Sequence, residues 1–359
     1  MKTALVGYTG FVGSNIYAAG SFDGAYNSKN IEEAYGTNPD LLIYAGLRAE
    51  KYLANNAPEK DMELIKQAED NITKINPKKL VLISTIDVFK TPVGVDENSE
   101  IDTEDLHAYG FNRYQLELWV REKYPDALII RLPGLFGKNI KKNFIYDYIN
   151  VIPFMLKESK FRELSEKDSD LKKYYSLQDN GFYKVAVSEH DRELLKEKFR
   201  KLGFSALNFT DSRSIYQFYN LGRLWNDIQI ALKNNITLWH PATEPLSAGE
   251  LYQYLTGEEF KNELNAVPAN YDYRTVHAEA FGGNGHYIET KEAELEEIKE
   301  FINADEKDKN IFLACLSNNN YVYDTDGTNG HIQNRLFQRR SRFKPDFRKR
   351  LSGRNRSCR

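Results

Sequence analysis

Short apolar runs recur along the first 150 residues of the chain. Runs of about four to eight apolar residues bounded by turn residues are typical of strands buried on both faces of a parallel sheet. Five segments show this pattern: Thr3–Val6, the residues around Ala25-Tyr26, Asp40–Gly46, Lys79–Ile83 and Ala127–Arg131. A polar stretch with helical spacing, from about Glu59 to Ile75, separates two of them. This alternation predicts a doubly wound, mostly parallel α/β sheet with helices on both faces.

The pattern changes after about residue 150. From Leu156 to Leu202 the chain is rich in Lys and Glu at helical spacing, which predicts a smaller, mainly helical C-terminal lobe. Ile236–Trp239 is predicted to form a further strand, and a helix is predicted to start from a cap at Ser247. A glutamate-rich helix from about Lys291 to Ile302 is predicted to close the domain.

Three glycines directly follow the first predicted strand. Gly7, Gly10 and Gly13 have the spacing G-x-x-G-x-x-G, and a helix that begins here would present its unpaired amides and positive dipole end to a ligand. Without side chains, the glycines let the backbone approach a pyrophosphate closely. The alternative is a simple glycine-rich turn, but the position after an N-terminal strand favours a dinucleotide site. Ala45 and Gly46 end the third predicted strand with small residues beside which a cofactor could lie.

The sequence leaves the choice between NAD and NADP open. The acidic residue expected about 20 positions after the glycines, which would bind the ribose 2′-hydroxyl of NAD, is not evident. In its place the second apolar segment runs into Asn27-Ser28-Lys29-Asn30. Lys29 would suit the 2′-phosphate of NADP, although an exposed lysine in a loop usually has no such role.

Composition argues against several other classes of function. No apolar run reaches the length of about 18 residues that spans a bilayer, and the N-terminus lacks the pattern of a secretory signal, so we expect a cytoplasmic protein without a membrane partner. The two cysteines, Cys315 and Cys358, allow neither a disulfide framework nor a thiolate metal cage. The six histidines contain no H-x-x-x-H pair, so no metal site is expected. Redox chemistry would therefore depend on a bound cofactor.

Charge is distributed unevenly along the chain. From Arg335 to the C-terminus the chain has eleven Lys or Arg residues and one acidic residue, Asp346, so this segment has a net charge of +10. The net charge of the whole chain is −3, which leaves −13 for the residues before Arg335. Clustered guanidinium groups are typical of an arm that binds nucleic acid. Few apolar residues and no periodicity favour instead a disordered or non-native extension over residues 304–359, and we expect no nucleic-acid partner.

Two polar motifs fall at the carboxyl ends of predicted strands, where open α/β sheets bind their ligands. These are Ser84-Thr85-Ile86-Asp87-Val88-Phe89 and Tyr109-Gly110-Phe111-Asn112-Arg113, and a third motif, Arg131-Leu132-Pro133-Gly134-Leu135-Phe136-Gly137, follows the next strand. Together with the glycine loop, these motifs resemble the extended short-chain dehydrogenase/reductase family, the nucleotide-sugar epimerases, dehydratases and reductases. Within this family the chain is most similar to the dTDP-4-dehydrorhamnose reductases. The resemblance covers residues 1–150, with weaker similarity beyond.

The resemblance implies a Rossmann-type dinucleotide-binding domain over residues 1–150, whose sheet the chain rejoins at about 205–245. It also implies a lobe, mainly within residues 151–303, that holds a nucleotide-sugar; the alternative is a charged helical insertion without a ligand. Contacts with NAD or NADP are implied for Gly7, Thr9, Gly10, Phe11, Val12, Gly13, Ala45, Gly46, Ser84, Tyr109, Arg113 and Pro133.

Catalytic roles are implied as well. Tyr109 would be the general acid or base at the substrate oxygen while the nicotinamide exchanges a hydride with the carbon bearing it, and Thr85 would hydrogen-bond the same oxygen. Arg113 stands where the family has a lysine, four residues after the tyrosine and on the same helix face, where its charge would favour phenolate. Ile86 occupies the position of the proton-donating acid of the dehydratases, which disfavours dehydration. Ungapped counting places the active-site asparagine of many relatives at Asp61.

Two classes of function follow from these residues. The first is an NAD(P)-dependent reductase or epimerase that acts on a nucleotide-activated sugar through Tyr109. The second is a protein of the same fold that binds the dinucleotide or nucleotide-sugar but has lost or attenuated catalysis, because Arg113 replaces the family lysine. The sugar, the nucleotide and the direction of reaction stay open, and so does assembly as a homodimer.

Overall fold

The computed structural model describes the backbone of residues 1–318 and the side chains of residues 1–304. The chain divides into two compact units, Met1–Glu306 and Lys307–Arg359, and the second lies mostly outside the described residues. The strands of the described part are, in chain order, β1 (Thr3–Val6), β2 (Gly24–Tyr26), β3 (Leu41–Tyr44), β4 (Lys79–Thr85), β5 (Leu128–Leu132), β6 (Gly134–Phe136), β7 (Met155–Lys157), β8 (Tyr175–Leu177), β9 (Phe182–Val185), β10 (Ile215–Tyr216), β11 (Phe218–Asn220), β12 (Leu238–Trp239) and β13 (Leu246–Ser247). Its α-helices are α1 (Phe11–Ala19), α2 (Lys51–Asn56), α3 (Pro58–Ile75), α4 (Ala108–Lys123), α5 (Phe144–Asn150), α6 (Glu158–Lys167), α7 (Glu189–Lys201), α8 (Leu224–Lys233), α9 (Ala248–Thr256) and α10 (Lys291–Asn318). Short 3-10 helices cover Ile31–Ala34, Ile86–Val88, Ser169–Lys173, Ala206–Phe209 and Ala278–Phe281.

A six-stranded parallel sheet forms the centre of the first unit. Its strand order is β12-β5-β4-β3-β1-β2, and every neighbouring pair is parallel. The order reverses direction at β1, as in doubly wound folds. The predicted fold class is therefore confirmed, and the five apolar runs correspond to β1 to β5. The predicted strand at Ile236–Trp239 forms as the shorter β12, beside β5 at the edge of the sheet.

Alternate residues of each central strand enter two apolar clusters, one on each face of the sheet. In β3, Leu41 and Ile43 pack in one cluster with Trp239, whereas Leu42 and Tyr44 pack in the other with α3. Because strand side chains alternate between faces, a strand covered by helices on both faces must be apolar at nearly every position. This explains why the central strands are unbroken apolar runs in the sequence.

Residues 151–204 form a lobe with a hydrophobic core of its own. α6 and α7 confirm the helices predicted here, and they pack on a three-stranded antiparallel sheet of order β7-β9-β8, which the sequence did not predict. The buried side chains of this core include Leu156, Phe161, Leu171, Tyr175, Leu195 and Phe199. At the base of the lobe, the backbone N–H of Ala206 donates a 2.7 Å hydrogen bond to the carbonyl of Val151. The chain therefore enters and leaves the lobe at one point.

Two helices complete the first unit. The Ser247 hydroxyl accepts the N–H of Glu250, and the Glu250 carboxylate accepts the N–H of Ser247, so the predicted cap is confirmed as a capping box at the start of α9. α10 begins at Lys291 as predicted and continues beyond Ile302. The backbone of residues 304–318, where the basic extension was predicted to begin, continues α10 as helix, so the predicted disorder is wrong there. The remainder of that predicted extension, residues 319–359, lies outside the described residues. Among the helices of residues 1–318, none combines the length and apolar character that a bilayer span requires.

Candidate active site

The three glycines of the N-terminal loop have different surroundings. Gly7 has a φ of +91°, and a Cβ there would lie 2.3 Å from the carbonyl oxygen of Ala45. A Cβ at Gly13 would lie 2.1 Å from the carbonyl oxygen of Gly7. A Cβ at Gly10, the N-cap of α1, would meet only the Gly7 oxygen, at 3.3 Å. Gly7 and Gly13 are therefore needed for the close packing of β1, α1 and β3, whereas Gly10 leaves space in front of the helix.

This loop fits the pyrophosphate of a dinucleotide. The first-turn amides of α1, those of Phe11, Val12 and Gly13, have no acceptor within the helix, and they point out of its N-terminus with the positive end of the dipole. Thr9 and Gly10 are exposed beside them. No side chain of the described residues caps this helix, so the space in front of it suits an anion.

Tyr109 is held next to Thr85 by the start of α4. The side-chain oxygen of Asn55 accepts the N–H of Tyr109 at 3.0 Å. A Cβ at Gly110 would lie 2.1 Å from the carbonyl oxygen of Asp87, so this glycine lets the helix pack directly on the turn after β4. The Thr85 side chain consequently lies close enough to the Tyr109 hydroxyl to lower the pKa of the phenol. The structure thus brings the two predicted catalytic hydroxyls together, and their roles stay predictions.

The surroundings of Tyr109 raise the pKa of its phenol. Burial has the largest effect, and the carboxylates of Asp87 and Asp61 raise this pKa further. Arg113 and the Thr85 side chain lower this pKa, as expected for groups that favour phenolate, but burial and the carboxylates outweigh them. Tyr109 is therefore protonated at neutral pH.

Arg113 is buried and bonded on two sides. One Nη donates to the carboxylate of Asp61 on α3, and the other donates to the backbone carbonyl of Arg48 at 2.7 Å. Asn112 donates to the same Asp61 oxygen at 2.9 Å. The Cζ of Arg113 lies 4.2 Å from the centroid of the Tyr109 ring. The side chains of Arg113 and Asp61 are 3% and 6% exposed, so water does not screen their interaction.

A second buried ion pair adjoins the end of β4. Arg131 donates to Glu117 at 2.7 Å, and the Ser84 hydroxyl donates to Glu117 at 2.5 Å. The other Nη of Arg131 lies 3.3 Å from His240, and burial lowers the pKa of His240 to about 3, so this ring is neutral. Because the Ser84 hydroxyl already donates its hydrogen bond to Glu117, the contact of Ser84 with the cofactor stays a prediction. Pro133, another predicted cofactor contact, is half-buried directly after β5.

Several polar and charged groups that interact with Asp87 were not predicted from the sequence. Lys51 of α2 lies 3.0 Å from the Asp87 carboxylate, and the Tyr271 hydroxyl donates to the same oxygen at 3.4 Å. Lys142, before α5, donates at 2.7 Å to a backbone carbonyl of the segment that follows β3. These residues lie far apart in the sequence, and no local pattern marks them as a group. Within residues 1–304, no three His, Cys, Asp or Glu side chains are arranged to hold a metal ion.

No protein-family model matches the sequence, and no curated protein matches it. Solved structures do match: dTDP-4-dehydrorhamnose reductase from Yersinia enterocolitica gives a TM-score of 0.55 at 12% identity, covering 84% of this chain and 98% of that one. The same reductase from Bacillus anthracis, in complex with NADP, gives 0.52 at 15% identity, covering 84% and 98%. UDP-glucose 4-epimerase from Thermotoga maritima, with UDP-glucose, gives 0.54 at 12% identity, covering 86% and 99%. At these identities the likeness shows the fold, which is that of the extended short-chain dehydrogenases/reductases.

Proposed function

We propose that this chain is an NAD(P)-dependent reductase or epimerase of a nucleotide-activated sugar, with Tyr109 as its acid or base. The observation that carries the proposal is the close approach of the Thr85 and Tyr109 hydroxyls at the carboxyl end of β4, a strand of the same sheet as β1, which the glycine loop follows. Open α/β sheets bind their ligands along this edge. The proton-transfer pair and the cofactor loop therefore serve one site.

The glycine loop would hold the dinucleotide through the first-turn amides of α1, and Ala45 and Gly46 would border it at the end of β3. The bound nicotinamide supplies or accepts the hydride. After β2 the segment Asn27–Asn30 has no acid and carries the exposed Lys29, so NADP and NAD are both to be tested. The Bacillus anthracis reductase binds NADP, which supports a cofactor of this class.

Tyr109 would move the proton that accompanies the hydride. In a reduction its hydroxyl donates to the carbonyl oxygen of the substrate, and in the reverse step it accepts from the alcohol. Thr85 would hydrogen-bond the same oxygen. The protonated phenol suits the donor role, and the lobe within residues 151–303 would hold the nucleotide-sugar, as the Thermotoga maritima epimerase of the same fold binds UDP-glucose.

A second candidate is a binding protein without turnover. The observation that favours it is the engagement of Arg113, whose two Nη atoms bond Asp61 and the Arg48 carbonyl. A guanidinium held in this way leaves little freedom to bind a cofactor ribose as an ammonium would.

Turnover of a panel of nucleotide-sugars, oxidised and 4-keto forms included, tests the proposal with NADH and NADPH. We expect Tyr109→Phe to lower kcat by at least about 100-fold and to leave the Kd of the cofactor unchanged, because only proton transfer is removed. Tyr114→Phe in the same helix is the matched control and should retain kcat. Arg113→Lys should retain or raise turnover. If the cofactor binds but neither the wild type nor Arg113→Lys transfers hydride to any member of the panel, the enzyme proposal is wrong and the chain is a binding protein without turnover.

A further inference from the structure

A carboxylate directly opposes the cation that contacts Tyr109. Asp61 of α3 accepts hydrogen bonds from Arg113 and Asn112 of α4, and the second Nη of Arg113 is fixed by the Arg48 carbonyl. These partners all belong to the chain itself. The guanidinium is therefore oriented across the Tyr109 ring before any ligand binds.

Pairing with Asp61 changes what Arg113 can do for the phenol. A lone cation beside a tyrosine stabilises phenolate, whereas a carboxylate bonded to that cation opposes part of its field at a third group. At Tyr109 the two charges act in opposite directions, and the effect of Arg113 is the larger. The pair is almost fully buried, so solvent does not screen this opposition.

The other ionisable groups around Tyr109 do not replace the lost charge. Asp87, from the turn after β4, is a second carboxylate that raises the pKa of Tyr109, and Lys51 of α2 is paired with it at 3.0 Å. Lys142, from the segment before α5, also interacts with Asp87. The His107 ring, at the N-cap of α4, lies 6.4 Å from the Tyr109 ring, and burial lowers the pKa of His107, so it is neutral at alkaline pH.

We infer that Asp61 is a positioning residue of the active site: it holds Arg113 across the ring of Tyr109 and offsets part of its charge, so that Tyr109 stays a proton donor through the neutral and mildly alkaline range. The inference rests on the proposed function and specifies its chemistry as carbonyl reduction. The proton passes from the Tyr109 hydroxyl to the carbonyl oxygen while the carbonyl carbon receives the hydride of a reduced nicotinamide, which is left oxidised. The product is an alcohol, and the Tyr109 phenolate then regains a proton from water.

The test measures the titration of Tyr109 directly, without substrate or cofactor. 3-Fluorotyrosine in place of Tyr109 gives one ¹⁹F resonance. Because fluorine makes the phenol more acidic, its titration moves to lower pH, into the range in which the protein stays folded. Asp61→Asn keeps the shape and an acceptor for Arg113 but removes the opposing charge. We expect the ¹⁹F midpoint to fall by about one pH unit, because the carboxylate no longer opposes the guanidinium. Asp70→Asn, on the exposed face of α3, should leave the midpoint unchanged. An unchanged midpoint in a folded Asp61→Asn protein overturns the inference.

Asp61→Asn alone could fail to fold, because it leaves the buried charge of Arg113 without a partner. A double variant that removes both charges avoids this and keeps the test decisive. In Asp61→Asn with Arg113→Gln both charges are gone, and we expect a midpoint above that of Asp61→Asn and within about one unit of the wild type, since the two charges act on Tyr109 in opposite directions. A midpoint raised by about one unit or more would show that Arg113 acts as a free cation and would overturn the inference.

The pH profile of turnover is the second readout. The kcat/KM for carbonyl reduction should stay level into the alkaline range and then fall as Tyr109 loses its proton, and Asp61→Asn should move this alkaline fall to lower pH by the same interval as the ¹⁹F midpoint. If Asp61→Asn shifts the ¹⁹F midpoint but leaves the alkaline fall of kcat/KM at the same pH, another group limits the reaction. The proton-donor role of Tyr109 would then be wrong. Absence of turnover with any nucleotide-sugar counts against the proposed function, while the ¹⁹F titration still decides the role of Asp61.

Discussion

Asp147, on α5, makes the stability of the fold depend on pH. Burial raises the pKa of this carboxyl to about 7. Between about pH 4 and pH 7 the unfolded chain loses this proton while the folded chain keeps it, so the folded state loses stability as the pH rises, by at most about 4 kcal/mol. Asp147→Asn removes the ionisation, and thermal unfolding should show a raised Tm at pH 8 with little change at pH 4. Asp102→Asn, on the surface, is the control; an equal rise of the Asp147→Asn midpoint at both pH values contradicts the prediction.

Individual site residues differ in how far the sequence could predict them. Thr85 stands at the end of β4 and Tyr109 at the start of α4, and their meeting was expected from the family resemblance rather than from local pattern. Asp61 is one of several acids on a polar helix, and its pairing with Arg113, 52 positions along the chain, depends on how α3 packs against α4. Ungapped counting pointed at this position, but only the packing shows what it contacts.

The N-terminus of α1 gives a test of cofactor binding that separates folding from function. Gly10→Val should reduce the affinity for NADH and NADPH by at least about 100-fold, because a side chain would enter the space of the pyrophosphate while meeting only one backbone atom of the protein, at 3.3 Å. Calorimetry measures the affinity and circular dichroism checks the fold. Ala18→Val, on the exposed side of the same helix, should bind normally. A folded Gly10→Val protein with wild-type affinity would place the cofactor elsewhere.

Elements with a buried, periodic sequence were predictable, and short ones were not. β1, β3, β4 and β5 are apolar on both faces, and α9 begins with a capping box, so local sequence determines them. β7, β8 and β9 have three or four residues each, with polar and apolar positions mixed. Their pairing is fixed by contacts with α6 and α7, which is information that no window of the sequence contains.

Separate hydrophobic cores predict separate units of unfolding. The core of the lobe is made only of residues from 151–204, whereas the sheet packs in two other clusters. We expect the amides of α6, α7 and β9 to exchange at lower urea concentrations than those of β3 and β4, because a smaller core gives a lower free energy of opening. Hydrogen exchange with mass spectrometry in increasing urea measures this. Identical urea dependence in lobe and sheet would show one cooperative unit instead.

The sheet order was predictable as a class because alternating strands and helices leave few arrangements. The lobe was predicted as mainly helical, which holds for α6 and α7 but omits its sheet. Its assignment to substrate binding depends on ligand contacts that sequence pattern does not encode, and it stays a prediction.

The hydrogen bond between Ala206 and Val151 brings together the two ends of the lobe, a segment of about fifty residues. A segment whose two ends meet can be acquired, enlarged or deleted in one genetic event without moving the strands on either side of it. Natural selection and protein engineering could therefore replace the lobe as one segment, because the turn after β4, which brings Thr85 next to Tyr109, is built from other parts of the chain.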